Sequence, residues 1–245
     1  MTGIPAGLAF VAGATGYTGR EVVRVLRERG VATVAHVRPD SPHRERWIAR
    51  FAALGAETDV TAWEDAAMAE TLGRLRPAVI FALLGTTRAR GRAAASRGQT
   101  ESYETVDYGL TALLLRAAVA AGSRPRFVYL SSLGVREGTS NAYLAARAKL
   151  EAELRQSGLT FTIARPSFVT GPDREESRPL ERGGAIVADR LLGVLGRLGA
   201  RDLADRYRSI RGSELAAALV TAAFEPAYED RVLQGHPLRA AAARG

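Results

Sequence analysis

The rest of the chain is arranged around the sequence GATGYTG at Gly13–Gly19, which follows the apolar run Leu8–Val11 and opens a helical pattern near Glu21. Glycines at its first, fourth and seventh positions would let the chain take an unusual backbone conformation, approach a ligand closely and pack a helix against a sheet. The free N–H groups and the positive dipole end of that helix would face an anion in the turn. The stretch therefore predicts a phosphate-binding turn, with a tight turn that holds no ligand as the alternative.

Strand-like and helix-like segments alternate after this turn, which is the pattern of a doubly wound parallel sheet. The run Ala78–Leu84 is apolar at every position, as expected for a strand buried on both faces. We therefore predict an α/β fold, a Rossmann-type doubly wound parallel sheet with helices on both faces and a small C-terminal substrate region. The predicted strands are Leu8–Val11, Ala32–Val37, Glu57–Val60, Ala78–Leu84, Arg126–Leu130 and Thr160–Ala164.

The regular alternation weakens after Pro172, which suggests how the chain is divided. We expect one domain over residues 1–245, with a core at about 7–172 and a C-terminal substrate region and tail at about 173–245. The last residues, 240–245, are expected to be frayed. The predicted helices are Gly19–Arg29, Arg44–Leu54, Trp63–Leu75, Glu101–Ala121, Asn141–Gln156, Ala185–Leu198 and Gly212–Phe224, the last capped by Ser213.

Composition argues against several classes of protein. The formal net charge is +8 and the pI is near 10.5, but the arginines are spread along the chain without a nucleic-acid motif, so we expect no nucleic-acid partner. The absence of cysteine excludes disulfides and thiolate chemistry, and the histidines show no metal-ligand spacing, so we expect no metal. Without a long apolar run or an N-terminal signal pattern, we expect no membrane contact and a cytoplasmic protein, monomeric or homodimeric.

The ends of the predicted strands supply candidate ligand contacts, because open α/β sheets bind ligands there. Arg38 follows the second strand, where an acidic residue would hold the ribose hydroxyls of NAD and an arginine suits the extra phosphate of NADP. Asp40 nearby keeps NAD open, and a solvated arginine is the plain alternative. NADP(H) is therefore favoured over NAD(H).

Hydroxyl groups follow the fifth predicted strand. Ser131 and Ser132 end that strand, and Tyr143 lies at the start of the next predicted helix. Serine hydroxyls above the sheet and a tyrosine on the following helix can polarise a carbonyl and exchange its proton. These residues predict the reduction or oxidation of a small carbonyl or alcohol. A closed strand end and an ordinary helix-start tyrosine are the alternatives.

Taken together, these features resemble the extended and atypical short-chain dehydrogenase/reductase superfamily. More narrowly, they are similar to its NAD(P)H-binding subgroup that includes the Tat-interacting-protein-like oxidoreductases. The resemblance spans residues 7 to about 172. The motifs that carry it are Gly13–Gly19, Tyr129–Ser132, Tyr143, Thr162–Pro166, Leu84–Arg88, Val106–Tyr108 and Ser157–Leu159.

The resemblance implies a cofactor contact at each matching position. Arg38 would meet the adenosine phosphate, Asp59 would accept a hydrogen bond from the adenine amino group, and Val60 would donate its backbone N–H. The other implied contacts are Gly13, Thr15, Gly16, Tyr17, Thr18 and Gly19 around the pyrophosphate, Gly85 and Thr86 along the ribose, and Pro166, Ser167 and Phe168 near the nicotinamide.

The resemblance also implies catalytic roles. Ser131 or Ser132 would hold the substrate carbonyl, and Tyr143 would donate the proton. The family pattern places a lysine four residues after the tyrosine, one helical turn on, but this sequence has Arg147 there. Lys149 cannot replace it, because six residues turn a helix by about 240°. Arg147 keeps the charge and the hydrogen-bond donors, but arginine stays protonated, so a proton relay through it is excluded.

The leading hypothesis from the sequence is an NADP(H)-dependent oxidoreductase of the atypical short-chain type, with slow or specialised hydride transfer. A second hypothesis is a dinucleotide-binding sensor or regulatory protein with little or no catalysis. The pair Tyr143 and Arg147 keeps it open, because the cofactor turn is complete while the catalytic set is altered. An NAD(P)-dependent epimerase or dehydratase on the same scaffold is the third.

Overall fold

A seven-stranded parallel sheet is the centre of the computed structural model, which describes residues 7–86, 102–170 and 208–244. The strands are β1 Leu8–Ala12, β2 Ala32–His36, β3 Glu57–Asp59, β4 Val79–Ala82, β5 Arg126–Leu130, β6 Phe161–Ala164, β7 Val169–Thr170, β8 Ile210–Arg211 and β9 Arg231–Leu233. Their order in the sheet is β3-β2-β1-β4-β5-β6-β9, and each neighbouring pair is parallel. Strands β7 and β8 pair separately with each other.

Helices cover both faces of this sheet. They are α1 Tyr17–Glu28, α2 Arg44–Ala53, α3 Asp65–Leu75, α4 Thr111–Ala120, α5 Ala142–Gln156, α6 Gly212–Phe224 and α7 His236–Ala243, with a π-helical segment at Tyr103–Leu110 and a single 3₁₀ turn at Pro226–Tyr228. Ala9 and Val11 of β1 join the buried cluster under α1, α2, α6 and α7, whereas Phe10 and Ala12 join the cluster under α3, α4 and α5. This alternation confirms the doubly wound sheet.

The helix predicted at Glu101–Ala121 is wrong in its first half. Residues Tyr103–Leu110 are π-helical, and α-helical geometry begins only at Thr111. Ser102 caps the π-helical segment by accepting a hydrogen bond from the Thr105 backbone N–H at 3.0 Å. π-Helical segments are rare in proteins, and those that occur often lie at functional sites. This one contains the buried Asp107.

Residues 208–244 hold more regular structure than the sequence predicts. Its last residues form α7, where Leu238 and Ala241 are buried against the core, because the apolar face of this short helix packs on α6. The cap of α6 also differs. Arg211 occupies the N-cap in place of Ser213, and the Glu214 carboxylate accepts a hydrogen bond from the Arg211 N–H at 3.0 Å. Strand β9, which the sequence does not reveal, completes the sheet beside β6.

The carboxyl ends of the parallel strands meet at one edge of the sheet. The strand order reverses between β1 and β4, and this reversal is where open α/β sheets bind their ligands. The helix predicted at Ala185–Leu198 lies outside the described residues. In the part of the chain that is described, no helix is long and apolar enough to cross a bilayer.

Candidate functional site

The glycine turn joins β1 to α1 at the point where the strand order reverses. Gly13 has φ +80°, a left-handed conformation, and a Cβ on it would lie 2.6 Å from the Leu83 carbonyl oxygen. A Cβ on Gly19 would lie 2.1 Å from the Gly13 oxygen. The backbone packing of the turn therefore requires glycine at both positions.

Gly16 is different, because its own backbone does not demand glycine. It is the N-cap of α1 at φ −72° and ψ 166°, and a Cβ there would meet the Gly13 oxygen at 3.2 Å. Among the described residues, no side chain caps this helix, and its first turn holds no acidic residue. The helix N-terminus thus keeps N–H groups and positive dipole for an anion, with the half-buried Thr15 and Thr18 beside it.

Tyr17 connects the turn to the C-terminal region. Its hydroxyl donates to the Thr170 carbonyl oxygen at 3.3 Å, and a Cβ on Gly212 would lie 2.4 Å from its ring. The phenol therefore anchors β7 and the start of α6 over the N-terminus of α1. This contact gives Tyr17 a packing role that its expected place in the turn does not predict.

A cavity of about 320 Å³ adjoins the end of β2. Arg38 lines it, with its guanidinium Nε 3.7 Å from Asp40. Trp63 lies in the opposite wall, and the buried indole Nε1 of that residue finds no hydrogen-bond partner within the described ranges. The volume is at the lower end of small-molecule sites. Its other lining residues are Pro39, Thr105, Val106 and Leu110.

Asp59 ends β3 with its carboxylate turned toward its own loop. The two oxygens accept hydrogen bonds from the Thr61 N–H at 3.0 Å and the Thr61 hydroxyl at 2.9 Å. The buried His36 lies 3.8 Å away, and desolvation lowers the pKa of this imidazole, so it is held neutral. Val60, by contrast, is 41% exposed at the sheet edge. Asp59 thus holds the loop after β3 together, and the contacts of Asp59 and Val60 with the adenine stay predictions.

A buried ion pair lies beneath the end of β4. Asp107, 0% exposed, accepts a hydrogen bond from Arg147 Nη2 at 2.8 Å and another from the Thr86 backbone N–H at 2.9 Å. A Cβ on Gly85 would come within 3.3 Å of both charged groups. Gly85 and Thr86 are therefore seated directly on the pair formed by the π-helical segment and α5.

The Arg147 side chain is buried, with 7% of its surface exposed. Its Nη1 donates to the Leu130 carbonyl and lies 3.5 Å from the Tyr129 hydroxyl, while its buried Nε finds no partner there. Burial by itself would lower the pKa of Arg147, but the neighbouring phenols and Asp107 outweigh it and raise that pKa. Burial also raises the pKa of Tyr129. Both groups keep their protons at any working pH.

The ring of Tyr143 covers this guanidinium. Its centroid is 4.6 Å from the Arg147 Cζ, a cation–π distance, and 5.2 Å from the ring of Tyr103 in an edge-to-face arrangement. Tyr143 and Arg147 face the same way because four residues make one helical turn. The structure therefore brings them together as the sequence predicts, with Arg147 below Tyr143 and bonded to the protein interior.

Ser131 and Ser132 differ in what they contact. The buried Ser131 hydroxyl donates to Glu151 Oε1 at 2.6 Å. Glu151 also accepts two hydrogen bonds from Arg165, at 2.8 and 2.5 Å. Ser132 is half-buried, and among the described residues its hydroxyl contacts its neighbour's carbonyl oxygen, at 3.4 Å. Of the two serines, Ser132 is the one whose hydroxyl a substrate could engage.

The residues after β6 form the remaining wall. Pro166 is buried and its carbonyl accepts a hydrogen bond from the Leu133 N–H at 2.9 Å, which ties the loop after β6 to the loop after β5. The Ser167 hydroxyl donates to the Arg208 carbonyl. Phe168 is 62% exposed, an unusual state for so large an apolar side chain.

A second cavity, of about 620 Å³, lies on the outer face of α5 beside residues 135–139. Arg155 and Arg165 line it, and both pair with Glu151. Glu151 lines it too, so the cavity reaches the outer side of the network that holds Ser131, whereas Tyr143, Arg147 and Ser132 do not line it. Within the described ranges, no cluster of His, Asp or Glu is arranged to hold a metal.

Three functional side chains were not singled out by sequence reasoning: Trp63, Asp107 and Glu151. Trp63 follows the third strand, and Asp107 lies in a segment that matched the family pattern without an assigned role. Glu151 lies eight residues after Tyr143, about 80° around α5 from it. Its partners Ser131 and Arg165 come from other segments, so spacing in the sequence does not reveal it.

Comparison with known proteins identifies relatives over most of the chain. A sequence family described as NAD(P)H-binding matches residues 13–190. Protein fmp52-1 of Aspergillus terreus, named as mitochondrial, is 31% identical over 179 residues, which are 72% of this chain and 72% of that protein. That name contradicts the cytoplasmic location expected above. The expectation rested on composition and the lack of a signal pattern, which do not specify a compartment.

Solved structures share the fold at low sequence identity. A protein provisionally described as an NAD-dependent epimerase/dehydratase from Bacillus halodurans superposes with a TM-score of 0.67 and 17% identity, covering 98% of this chain and 100% of that one. Leucoanthocyanidin reductase from Vitis vinifera, solved as a binary complex with NADPH, has a TM-score of 0.59 and 15% identity, covering 92% and 67%. Both likenesses concern the Rossmann-type fold.

Proposed function

Because the chain belongs to the NAD(P)H-binding family, on the fold of the short-chain dehydrogenase/reductase superfamily, we propose that it is an NADP(H)-dependent oxidoreductase acting on a small carbonyl or alcohol. The observation that carries this proposal is the uncapped N-terminus of α1 beneath Gly16. It offers N–H groups and positive dipole at the reversal of strand order, where a pyrophosphate would be stabilised.

The residues present fit a nicotinamide dinucleotide. Gly13, Gly16 and Gly19, with the neighbouring Thr15 and Thr18, would hold the pyrophosphate. The cavity beside Arg38 would take the adenosine end, against Val60 and with the unpartnered indole N–H of Trp63 in its wall. Asp59 would accept a hydrogen bond from the adenine amino group, because each of its oxygens keeps a second lone pair beside the bond from Thr61. Gly85, Thr86, Pro166 and Phe168 would line the ribose and nicotinamide.

The preference for NADP(H) rests on Arg38. Its guanidinium reaches the rim of the cavity at the end of β2, where a planar cation can pair with the 2′-phosphate through two hydrogen bonds. Asp40, 3.7 Å from the Arg38 Nε, would compete with the phosphate for the guanidinium. The preference therefore depends on the phosphate being the better partner of Arg38, since its two negative charges and three oxygens allow a bidentate pair.

The chemistry assigned to the chain is proton transfer and carbonyl polarisation. When bound, the nicotinamide supplies or accepts the hydride. Tyr143 would donate the proton to the substrate oxygen, and Ser132 would hold that oxygen by a hydrogen bond. Arg147 stabilises the phenol from below without exchanging a proton. The C-terminal residues 173–245 would contribute the substrate region.

A dinucleotide-dependent sensor is the second candidate function, and one observation favours it. Arg147 donates to Asp107 and to the Leu130 carbonyl, so its hydrogen bonds go to the protein interior. The lysine of the family pattern would instead hold the cofactor ribose. A sensor would bind NADPH and remain silent toward carbonyl substrates. Turnover therefore separates the two functions.

The test is a fluorescence titration with NADPH and NADH, followed by stopped-flow NADPH oxidation against a panel of carbonyl compounds. We expect Arg38→Glu to weaken NADPH binding about tenfold or more and NADH binding little, since one charge-assisted contact is worth ~1.5–3 kcal/mol. Arg74→Glu, an exposed change of the same charge on α3, is the control. Equal affinity of the native protein for both cofactors would remove the argument from Arg38, and turnover without bound dinucleotide would refute the function.

A further inference from the structure

The pair of Asp107 and Arg147 is unusually deep for two charges. Their side chains are 0% and 7% exposed, and they meet at 2.8 Å. Taking two ions out of water costs free energy that their attraction alone repays only with good geometry. Such a pair indicates a requirement for the charges themselves.

Arg147 is poorly placed to act directly on a substrate. Its Nη atoms point to Asp107, Leu130 and Tyr129, and its Nε is buried. The face of the guanidinium, however, lies under the ring of Tyr143 at 4.6 Å. Any influence of Arg147 on the reaction therefore passes through Tyr143.

We propose that Asp107 is a positioning residue for Tyr143: it fixes the Arg147 guanidinium beneath the phenol and offsets part of its charge. This inference rests on the proposed function, in which Tyr143 is the proton donor. A bare arginine below the ring would stabilise the phenolate too strongly for the group to return its proton, whereas the ion pair presents a weaker positive field. Asp107 thus acts on the proton donor Tyr143 through one intervening side chain, Arg147.

The charged and titratable groups around Tyr143 come from each described element packed against it. Arg147 lies on its own helix, α5, while Tyr103 and Asp107 belong to the π-helical segment. Tyr129 approaches from β5 through Arg147. Within this set, Asp107 is the carboxylate in contact with the guanidinium, so neutralising it isolates the effect of the counter-charge.

The experiment measures the titration midpoint of Tyr143 by NMR of ¹³Cζ-labelled tyrosine, with and without NADP⁺, and uses Tyr143→Phe to assign the resonance. Asp107→Asn should lower the midpoint by about one pH unit, and Arg147→Gln should raise it. The double variant should fall between the native protein and Arg147→Gln. Asp107→Glu, which keeps the charge, should restore a near-native midpoint.

The control is Glu104→Gln, an exposed carboxylate of the same π-helical segment, which should leave the midpoint unchanged. An unchanged or raised midpoint in Asp107→Asn overturns the inference. If that variant does not fold, Arg147→Gln and the double variant decide, because equal midpoints in those two proteins also overturn it.

A second measurement works at a single pH. The nitration rate of Tyr143 by tetranitromethane at pH 8, mapped by peptide mass spectrometry, follows the phenolate fraction and should rise about tenfold in Asp107→Asn. Neither readout requires turnover. If the midpoints follow the predicted order but NADPH is not oxidised, the oxidoreductase function is rejected and the effect of Asp107 on Tyr143 stands. If NADPH is oxidised but the midpoints do not follow that order, the effect of Asp107 is rejected and the oxidoreductase function stands.

Discussion

Ser131 and Ser132 are neighbours in sequence but have different surroundings. Ser131 is buried and donates to Glu151, and Ser132 is half-buried with only a long contact to the Leu133 carbonyl. Adjacent residues at the end of a strand point to opposite sides, so one hydroxyl faces the interior network while the other stays available. The two serines should therefore respond differently to the same substitution.

We expect Ser131→Ala to lower the free energy of unfolding by ~1–3 kcal/mol, because Glu151 loses a buried donor. Ser132→Ala should leave stability within ~0.5 kcal/mol and reduce turnover about 10²-fold, the usual cost of one donor to a reacting oxygen. Urea unfolding and carbonyl reduction assays measure the two effects. The opposite pattern, with turnover lost in Ser131→Ala alone, would contradict this assignment.

At the scale of elements, Glu151 holds the loops after β5 and β6 to α5. Its carboxylate is bonded to Ser131, to Arg165 at 2.5 and 2.8 Å, and to Arg155 at 2.9 Å. Burial would raise the pKa of Glu151, but the hydrogen bonds from Arg165, Ser131 and Arg155 prevail and lower it. One carboxylate thus fixes the wall of the candidate site.

This network predicts a pH dependence of stability. Since the folded-state pKa of Glu151 lies below its unfolded value, its contribution is present above about pH 4.5 and is lost as the pH falls through the folded-state value. Glu151→Gln should cost ~3–5 kcal/mol at pH 7, because Arg165 is left without its partner. Urea unfolding from pH 3 to 7 should show this difference shrinking in acid, and a constant difference would argue against it.

The packing of α7 on α6 leads to a prediction about stability. Leu238 is 2% exposed where α7 packs on α6. We expect Leu238→Ala to destabilise the protein by ~2–4 kcal/mol, because the side chain leaves a cavity. Val119→Ala, on the exposed side of α4, is the control and should change stability by less than ~0.5 kcal/mol. Equal losses in the two variants would show that α7 does not stabilise the core.

At the scale of the whole molecule, α6 lies on the same face of the sheet as α1 and α2. It precedes β9, which lies at the edge of the sheet opposite to β3. Because α6 packs beside α1, a Cβ on Gly212 would lie 2.4 Å from the ring of Tyr17. The start of α6 thereby contacts the glycine turn.

Binding to this turn should stabilise the molecule as a whole. At about 100 times its Kd, NADPH would add ~2.7 kcal/mol, which corresponds to a rise in Tm of roughly 5–10 °C for a chain of this size. Thermal unfolding with and without NADPH measures it. Gly16→Val is the matched control, compared with its own Tm without NADPH: its side chain occupies the turn, its φ of −72° suits any residue, and its Cβ would lie 3.2 Å from the Gly13 oxygen. A similar rise in that variant would place the cofactor elsewhere.

Local patterns predict much of this protein. Six of the seven strands of the sheet, the glycine turn and the facing of Tyr143 and Arg147 follow from apolar runs, from glycine spacing and from helical periodicity. The sequence patterns missed short elements, and the reason is physical. The strand β9 has three residues and α7 has eight, and such segments are stabilised by what they pack on rather than by their own propensity.

The amino-acid sequence by itself determined six of the seven strands of the sheet, most of the helices before residue 172 and the glycine turn, because each depends on residues close together in the chain. Only the tertiary structure decided which buried polar groups pair with each other: Ser131 with Glu151, and Arg147 with Asp107. A side chain's type states what it can bond to. Its partner depends on which distant segment the fold brings within 3 Å, and that information is not local.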